Sequence, residues 1–169
     1  MAENQSGWAR AYDRVHRICE IWALIGGLTL LSVVLVNAYS ICADIIANKP
    51  FPGDFEITEV GVAIAVFCFL PYCQITGSNV SADIFTAKAG KSQIILMNLF
   101  SGIIALGFSL LLLWRMSEGL ASYLEYEEVT GILGFPLWIG FIPSLFSLGL
   151  LVIATFMTIV DLYGTRRRA

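Results

Sequence analysis

Four long apolar runs, separated by short polar segments, occupy nearly the whole chain: roughly Trp22–Ile45, Ile57–Ile75, Ile94–Trp114 and Phe135–Val160. A hydrocarbon core about 30 Å thick is crossed by about 20 helical residues, and the runs reach that length. In lipid each backbone polar group must be satisfied within its own segment, so such runs fold as helices. The pattern predicts an all-α integral membrane protein with four transmembrane helices, and residues 1–169 form a single membrane domain. Little chain is left over for a soluble one.

The polar segments refine this picture. Trp8, Tyr12, Val15 and Cys19 recur at helical spacing, with Arg10, Asp13, Arg14 and Arg17 on the other side. That predicts a short amphipathic helix lying in the headgroup region before the chain turns into the membrane. The run that follows is too long, and lacks the small-residue cleavage site, to be a removable signal. The first connection, Ala47 to Asp54, is turn-rich. Asp54 is expected to cap the second helix, with Glu56 and Glu59 in its first turns, where the helix dipole favours negative charge. Pro71 should kink that helix or end its regular part, and Pro143 should bend the fourth. Between Met116 and Gly134, Leu120, Tyr123 and Leu124 share one side, and the acids of the segment include Glu118 and Glu125. This is either a continuation of the third helix or a helix on the membrane surface. Gly61 with Ala65, and Ser101 with Ala105 and Ser109, form small-residue stripes that let helices approach closely.

Charge sets the expected sidedness. Arg10, Arg14, Arg17, Lys88, Lys91, Arg166, Arg167 and Arg168 fall on the side of the two termini and the second connection; only Lys49 and Arg115 fall on the other. Basic residues concentrate in cytoplasmic segments, so both termini are expected in the cytoplasm. Eight acids (Asp44, Asp54, Glu56, Glu59, Glu118, Glu125, Glu127 and Glu128) belong to the opposite, outer face. The overall −3 therefore divides into a net +3 inside and −6 outside. At 57% hydrophobic residues and a mean hydropathy of +0.78, the chain lies outside the range of soluble domains, and nothing in it points to nucleic acid.

Candidate chemistry is sparse. Four cysteines raise the possibility of a membrane thiol oxidase, but Cys19, Cys42, Cys68 and Cys73 contain no CxxC pair. Cys68 and Cys73 lie about 140° apart around a helix. The single histidine, His16, precedes the first run, which leaves no haem or metal ligand set within the spans. Gly90-Lys91-Ser92 lacks the earlier glycine of a phosphate-binding loop, since position 85 is Phe85. No catalytic, cofactor or metal site is expected. Intramembrane polar residues are the stronger signals: Asn37 deep in the first run, and Glu59 about one turn inside the outer boundary of the second. Asn37 reads as an interhelical hydrogen-bonder. Glu59 reads as a partner of Arg115 or of a cation on another chain, or else as the proton site of a small self-sufficient exporter acting as an oligomer.

The order of features resembles the small membrane subunit (Q-type) of tripartite ATP-independent periplasmic, or TRAP, transporters. The carriers are Glu56-Ile-Thr-Glu-Val60, the stretch from Val66 through the second connection to Asp83, and Gly134-Phe-Pro-Leu-Trp138 followed by Ile142-Pro143. Where the family often has a histidine in the second connection this chain has Asn79, so only Asp83 carries over there. The resemblance implies a non-catalytic scaffold subunit in the bacterial inner membrane. It would pair with a large multi-span permease that moves an organic acid with sodium, supplied by a transiently docking periplasmic binding protein, with membrane lipids around it. Asn37, Glu59, Asp83 and Trp138 become candidate interface or anchoring residues, and Glu125, Glu127 and Glu128 a candidate periplasmic docking surface.

Overall fold

The apolar runs fold as α1 (Ala2–Ala47), α2 (Asp54–Ile75), α3 (Lys91–Tyr126) and α4 (Trp138–Arg166). The structure is a computed structural model; it describes residues 2–77 and 91–166, with side chains at 7, 8, 10–77 and 96–161. Each helix contains a stretch long and apolar enough to cross a bilayer: Arg10–Ala47, Asp54–Ile75, Leu96–Tyr126 and Trp138–Asp161. The protein is thus an all-α, four-span membrane protein, with no strand among the described residues beyond a single bridge between Val129 and Pro136.

Two expectations about local structure change. The amphipathic lead-in is helical, but it does not form a separate interfacial segment: α1 runs unbroken for 46 residues, about 69 Å at 1.5 Å per residue. No proline or turn sequence interrupts it between Arg17 and Trp22, and the Tyr12 hydroxyl donates to the Ile75 carbonyl at 3.2 Å, holding the lead-in against the end of α2. The second change is at α2, whose N-cap is Gly53 in a left-handed conformation (φ 83°), with no side-chain cap. Asp54 is already helical. Its carboxylate accepts the Phe55 N–H at 2.8 Å and the Ser40 hydroxyl of α1 at 2.6 Å, and Ser40 in turn accepts the Phe51 N–H at 3.1 Å. Of the two outcomes expected at Pro71, an end to the helix does not occur: α2 continues to Ile75 with Pro71 fully buried inside it. The segment after Met116 is a continuation of α3, which runs on to Tyr126.

The helices pack in the order α1–α2–α4–α3. α2 lies between α1 and α4, α3 rests on the far side of α4, and α1 meets α4 over a short length only. This is an open row. α4 buries the largest share of its length and α3 the smallest. Small residues and hydroxyls make these close approaches possible. A Cβ at Gly26 would lie 2.6 Å from the Cβ of Cys68, and Val33 packs directly onto Gly61. Ala65 is buried in the α1–α2 seam. On α3 the contact residue is Gly102, where a Cβ would meet Ile159 at 2.9 Å. Of the stripe read from sequence, Ser109 is buried and Ser101 is exposed, so the face is turned by one residue.

Buried hydroxyls on α4 satisfy themselves. Ser144, Ser147 and Thr155 donate to the carbonyls of Gly140, Pro143 and Leu151 at 2.8–2.9 Å. Ser147 also accepts from the Trp22 indole at 2.7 Å, and this bond joins α1 to α4. The Trp22 ring stands edge-on to Phe146, with centroids 4.6 Å apart. Cys19, Ile75 and Ala154 pack together nearby, with Tyr12, Val15 and Tyr72 against them. α1 and α4 therefore meet toward the terminal end of the row.

Candidate interaction surfaces

The polar residues gather at the opposite end, where the α1–α2 and α3–α4 connections lie. There α1 and α2 are tied by side chains. The Asn37 amide donates to the Thr58 hydroxyl at 2.7 Å and to the Val33 carbonyl at 2.9 Å, while Thr58 donates to the Asp54 carbonyl at 2.7 Å. Asn37, Asp54, Phe55, Thr58, Glu59 and Val62 line a cavity of about 360 Å³. Glu59 is exposed at its edge. The pairing with Arg115 considered from sequence does not form, because α3 packs on α4 and not on α2.

A second cavity, of about 400 Å³ and almost wholly apolar, lies on the other flank of the α1–α2 seam. Thr29, Val33 and Val36 supply its α1 side, and Val60 its α2 side. Leu133 and Phe135 of the α3–α4 connection cover it. That connection is held down by Glu56, whose carboxylate accepts the N–H groups of Ile132 at 2.7 Å and Leu133 at 2.9 Å. Leu133 then lies directly over Gly53, whose positive φ and missing Cβ leave it room. The turn itself is closed by Thr130, which exchanges backbone bonds with Phe135 and Gly134 and accepts the Phe135 N–H on its hydroxyl at 2.9 Å.

A third cavity, of about 310 Å³, is formed where α3 ends and α4 begins. It is lined by Tyr123, Leu124, Glu127, Val129, Pro136 and Trp138. Glu127 ends α3 with a φ of 45°, and Tyr123 is backed by the Phe141 ring at 4.8 Å.

The residues singled out from sequence thus fall in separate places. Asn37 and Glu59 share the first cavity, and Trp138 and Glu127 share the third. Glu125 and Glu128 are exposed at the end of α3 and in the connection after it, and Asp83 lies outside the described residues. Sequence reasoning missed the Glu56 clamp and the Trp22–Ser147 bond. Both join residues 76 or more positions apart, which leaves no periodic trace. The one local signal for the clamp is a turn flanked by Gly131 and Gly134, which frees two N–H groups for an acceptor. The four cysteines are free: Cys19 and Cys68 are buried, Cys73 is half-buried and Cys42 exposed. No group of three or more possible metal ligands occurs among the described residues.

Comparison with individual characterised proteins and with solved structures gives no match. The family model for the DctQ component of the tripartite ATP-independent periplasmic transporters matches residues 33–165, from the last third of α1 to the last turn of α4. With four long apolar helices in the structure and the match running through all of them, the chain belongs to this family, as the small membrane subunit of a TRAP transporter.

Proposed function

We propose that the chain is the stationary, non-transporting subunit of a sodium-coupled organic-acid carrier in the bacterial inner membrane, with both termini in the cytoplasm. The observation that carries this reading is the open row. Four helices side by side enclose no four-sided interior for a substrate path, yet they offer two broad flanks to a larger partner. The flank bearing Asn37, Thr58 and Glu59 is the favoured seat for the large permease. Polar and ionised groups near membrane depth are costly to leave against lipid, and Glu59 is exposed there. Trp138 and Asp83 are carried as further anchoring residues, and the acidic connection with Glu125, Glu127 and Glu128 as the surface met by the binding protein.

Mild-detergent purification of the tagged protein from its native host tests the reading. A multi-span permease should co-elute in stoichiometric amount, and its yield should fall for Glu59→Leu or Asn37→Leu. A homogeneous oligomer of this chain alone would overturn it. Glu59→Gln would then be expected to abolish export by that oligomer, whereas a scaffold carrying it keeps most of its uptake. For the docking surface, Glu125→Lys with Glu128→Lys should weaken uptake and change its salt dependence. Unchanged uptake would remove the acidic connection from the reading.

A further inference from the structure

The cavity between the end of α3 and the start of α4 combines three features that favour one kind of ligand. Glu127, which stands just beyond the last turn of α3 in a left-handed backbone conformation, is one of its lining residues. The C-terminal carbonyls of a helix hold partial negative charge, and those of α3 end at this point. Two aromatic rings, Tyr123 and Trp138, line the walls, and the faces of such rings attract a cation. Phe141 packs against Tyr123 and holds its ring in place. Among the described residues, no basic side chain lines the cavity. The remaining walls, Leu124, Val129 and Pro136, are apolar, and Leu124 and Val129 are more than half exposed.

From this geometry we infer that the cavity binds the primary ammonium headgroup of a zwitterionic phospholipid, of the phosphatidylethanolamine class. The site lies at the end of two spans, at the level where Trp and Tyr meet the membrane–water boundary, so a lipid reaches it with its head at Glu127 and its glycerol region against Leu124 and Val129. At about 310 Å³ the cavity is at the lower end of the range for small-ligand pockets, roughly 300–1,000 Å³. An ammonium donates hydrogen bonds to the Glu127 carboxylate and meets the aromatic faces. An anionic headgroup instead meets the like charges of Glu125, Glu127 and Glu128. Selectivity for the zwitterionic lipid over an anionic one is therefore built into the charge of this corner. The inference does not depend on the transport reading, since it concerns the chain's own lipid contact.

Native mass spectrometry of the purified full-length chain tests it, with dioleoyl phosphatidylethanolamine and dioleoyl phosphatidylglycerol offered in equal amounts. The wild type should retain the ethanolamine lipid with about a tenfold preference, between the scales of an exposed and of a fully desolvated cation–π contact. Glu127→Gln and Trp138→Leu should each reduce that preference several-fold, while Glu20→Gln, exposed at the other end of the row, keeps it. Glu127 is an exposed position, so its variant folds even if loss of Trp138 disturbs the start of α4. Equal retention of the two lipids, or an undiminished preference in Glu127→Gln, would overturn the assignment.

Discussion

At Gly26 a Cβ would lie 2.6 Å from the Cβ of Cys68 and 3.2 Å from the Ala65 carbonyl oxygen, whereas at Gly27 nothing lies within 4 Å. The two adjacent glycines therefore make opposite predictions. Gly26→Ala must push α1 away from α2, and overpacking of this kind costs about 1–3 kcal/mol. Gly27→Ala adds a methyl to open space and gains helix propensity, for a change between zero and about 1 kcal/mol of stabilisation. Thermal unfolding of the two variants in one detergent checks this: the midpoint should fall for Gly26→Ala and hold or rise for Gly27→Ala. Equal midpoints would mean that the α1–α2 seam is not closed at this level. The sequence shows both glycines but gives no sign of which one meets α2. That depends on the rotation of α1 about its axis, and α1 is apolar on nearly every side, so periodicity does not fix it. Ser101 and Gly102 on α3 pose the same difficulty. The small residues are visible, and the one in contact is set by Ile159 on another helix.

Between elements, what was legible follows from length and breakers. Four runs of spanning length, the turn residues around Pro50 and Gly53, and the glycines flanking Ile132 and Leu133 determine four helices and the places where they stop. The order α1–α2–α4–α3 was not legible, because adjacency between apolar helices in lipid is decided by close fit and not by burial of a distinctive face. Asn37 illustrates the division. Its place in the first run marks it as an interhelical hydrogen-bonder, but its partner, Thr58, is known only from the packing. The order itself makes a prediction. An ideal Cβ at Gly61 lies 3.9 Å from the Cβ of Val33, within the roughly 3.5–4.5 Å that a disulfide requires. In a background with the four native cysteines replaced by Ala or Ser, Val33→Cys with Gly61→Cys should cross-link readily under mild oxidation, detected by a mobility shift after cleavage in the α1–α2 connection. The pair Leu28→Cys with Ile104→Cys, on the two edges of the row, should stay reduced. Cross-linking of the edge pair would mean that the row closes into a bundle in the membrane.

For the molecule as a whole, the row places the α1–α2 and α3–α4 connections at one end and the start of α1 and the close of α4 at the other, and charge separates those ends. The connection end carries Asp44, Asp54, Glu56, Glu59, Glu118 and the Glu125–Glu128 group against Lys49 and Arg115; at the terminal end α1 carries Arg10, Arg14 and Arg17, and by sequence Lys88, Lys91, Arg166, Arg167 and Arg168 are expected on the same side. Translocating a basic segment is disfavoured during insertion, so the terminal end should remain in the cytoplasm. The Glu56 clamp and the acidic connection would then face the periplasm, where a binding protein could reach them. Single cysteines in a cysteine-free background test this orientation. A membrane-impermeant maleimide applied to intact spheroplasts should label Glu128→Cys at once, and Arg168→Cys only after the membrane is permeabilised. The reverse pattern would invert the molecule and turn the acidic face toward the cytoplasm. The docking role proposed for that face would fall with it, whereas the row of helices and the Trp138–Glu127 lipid site would stand, since neither depends on which compartment lies outside.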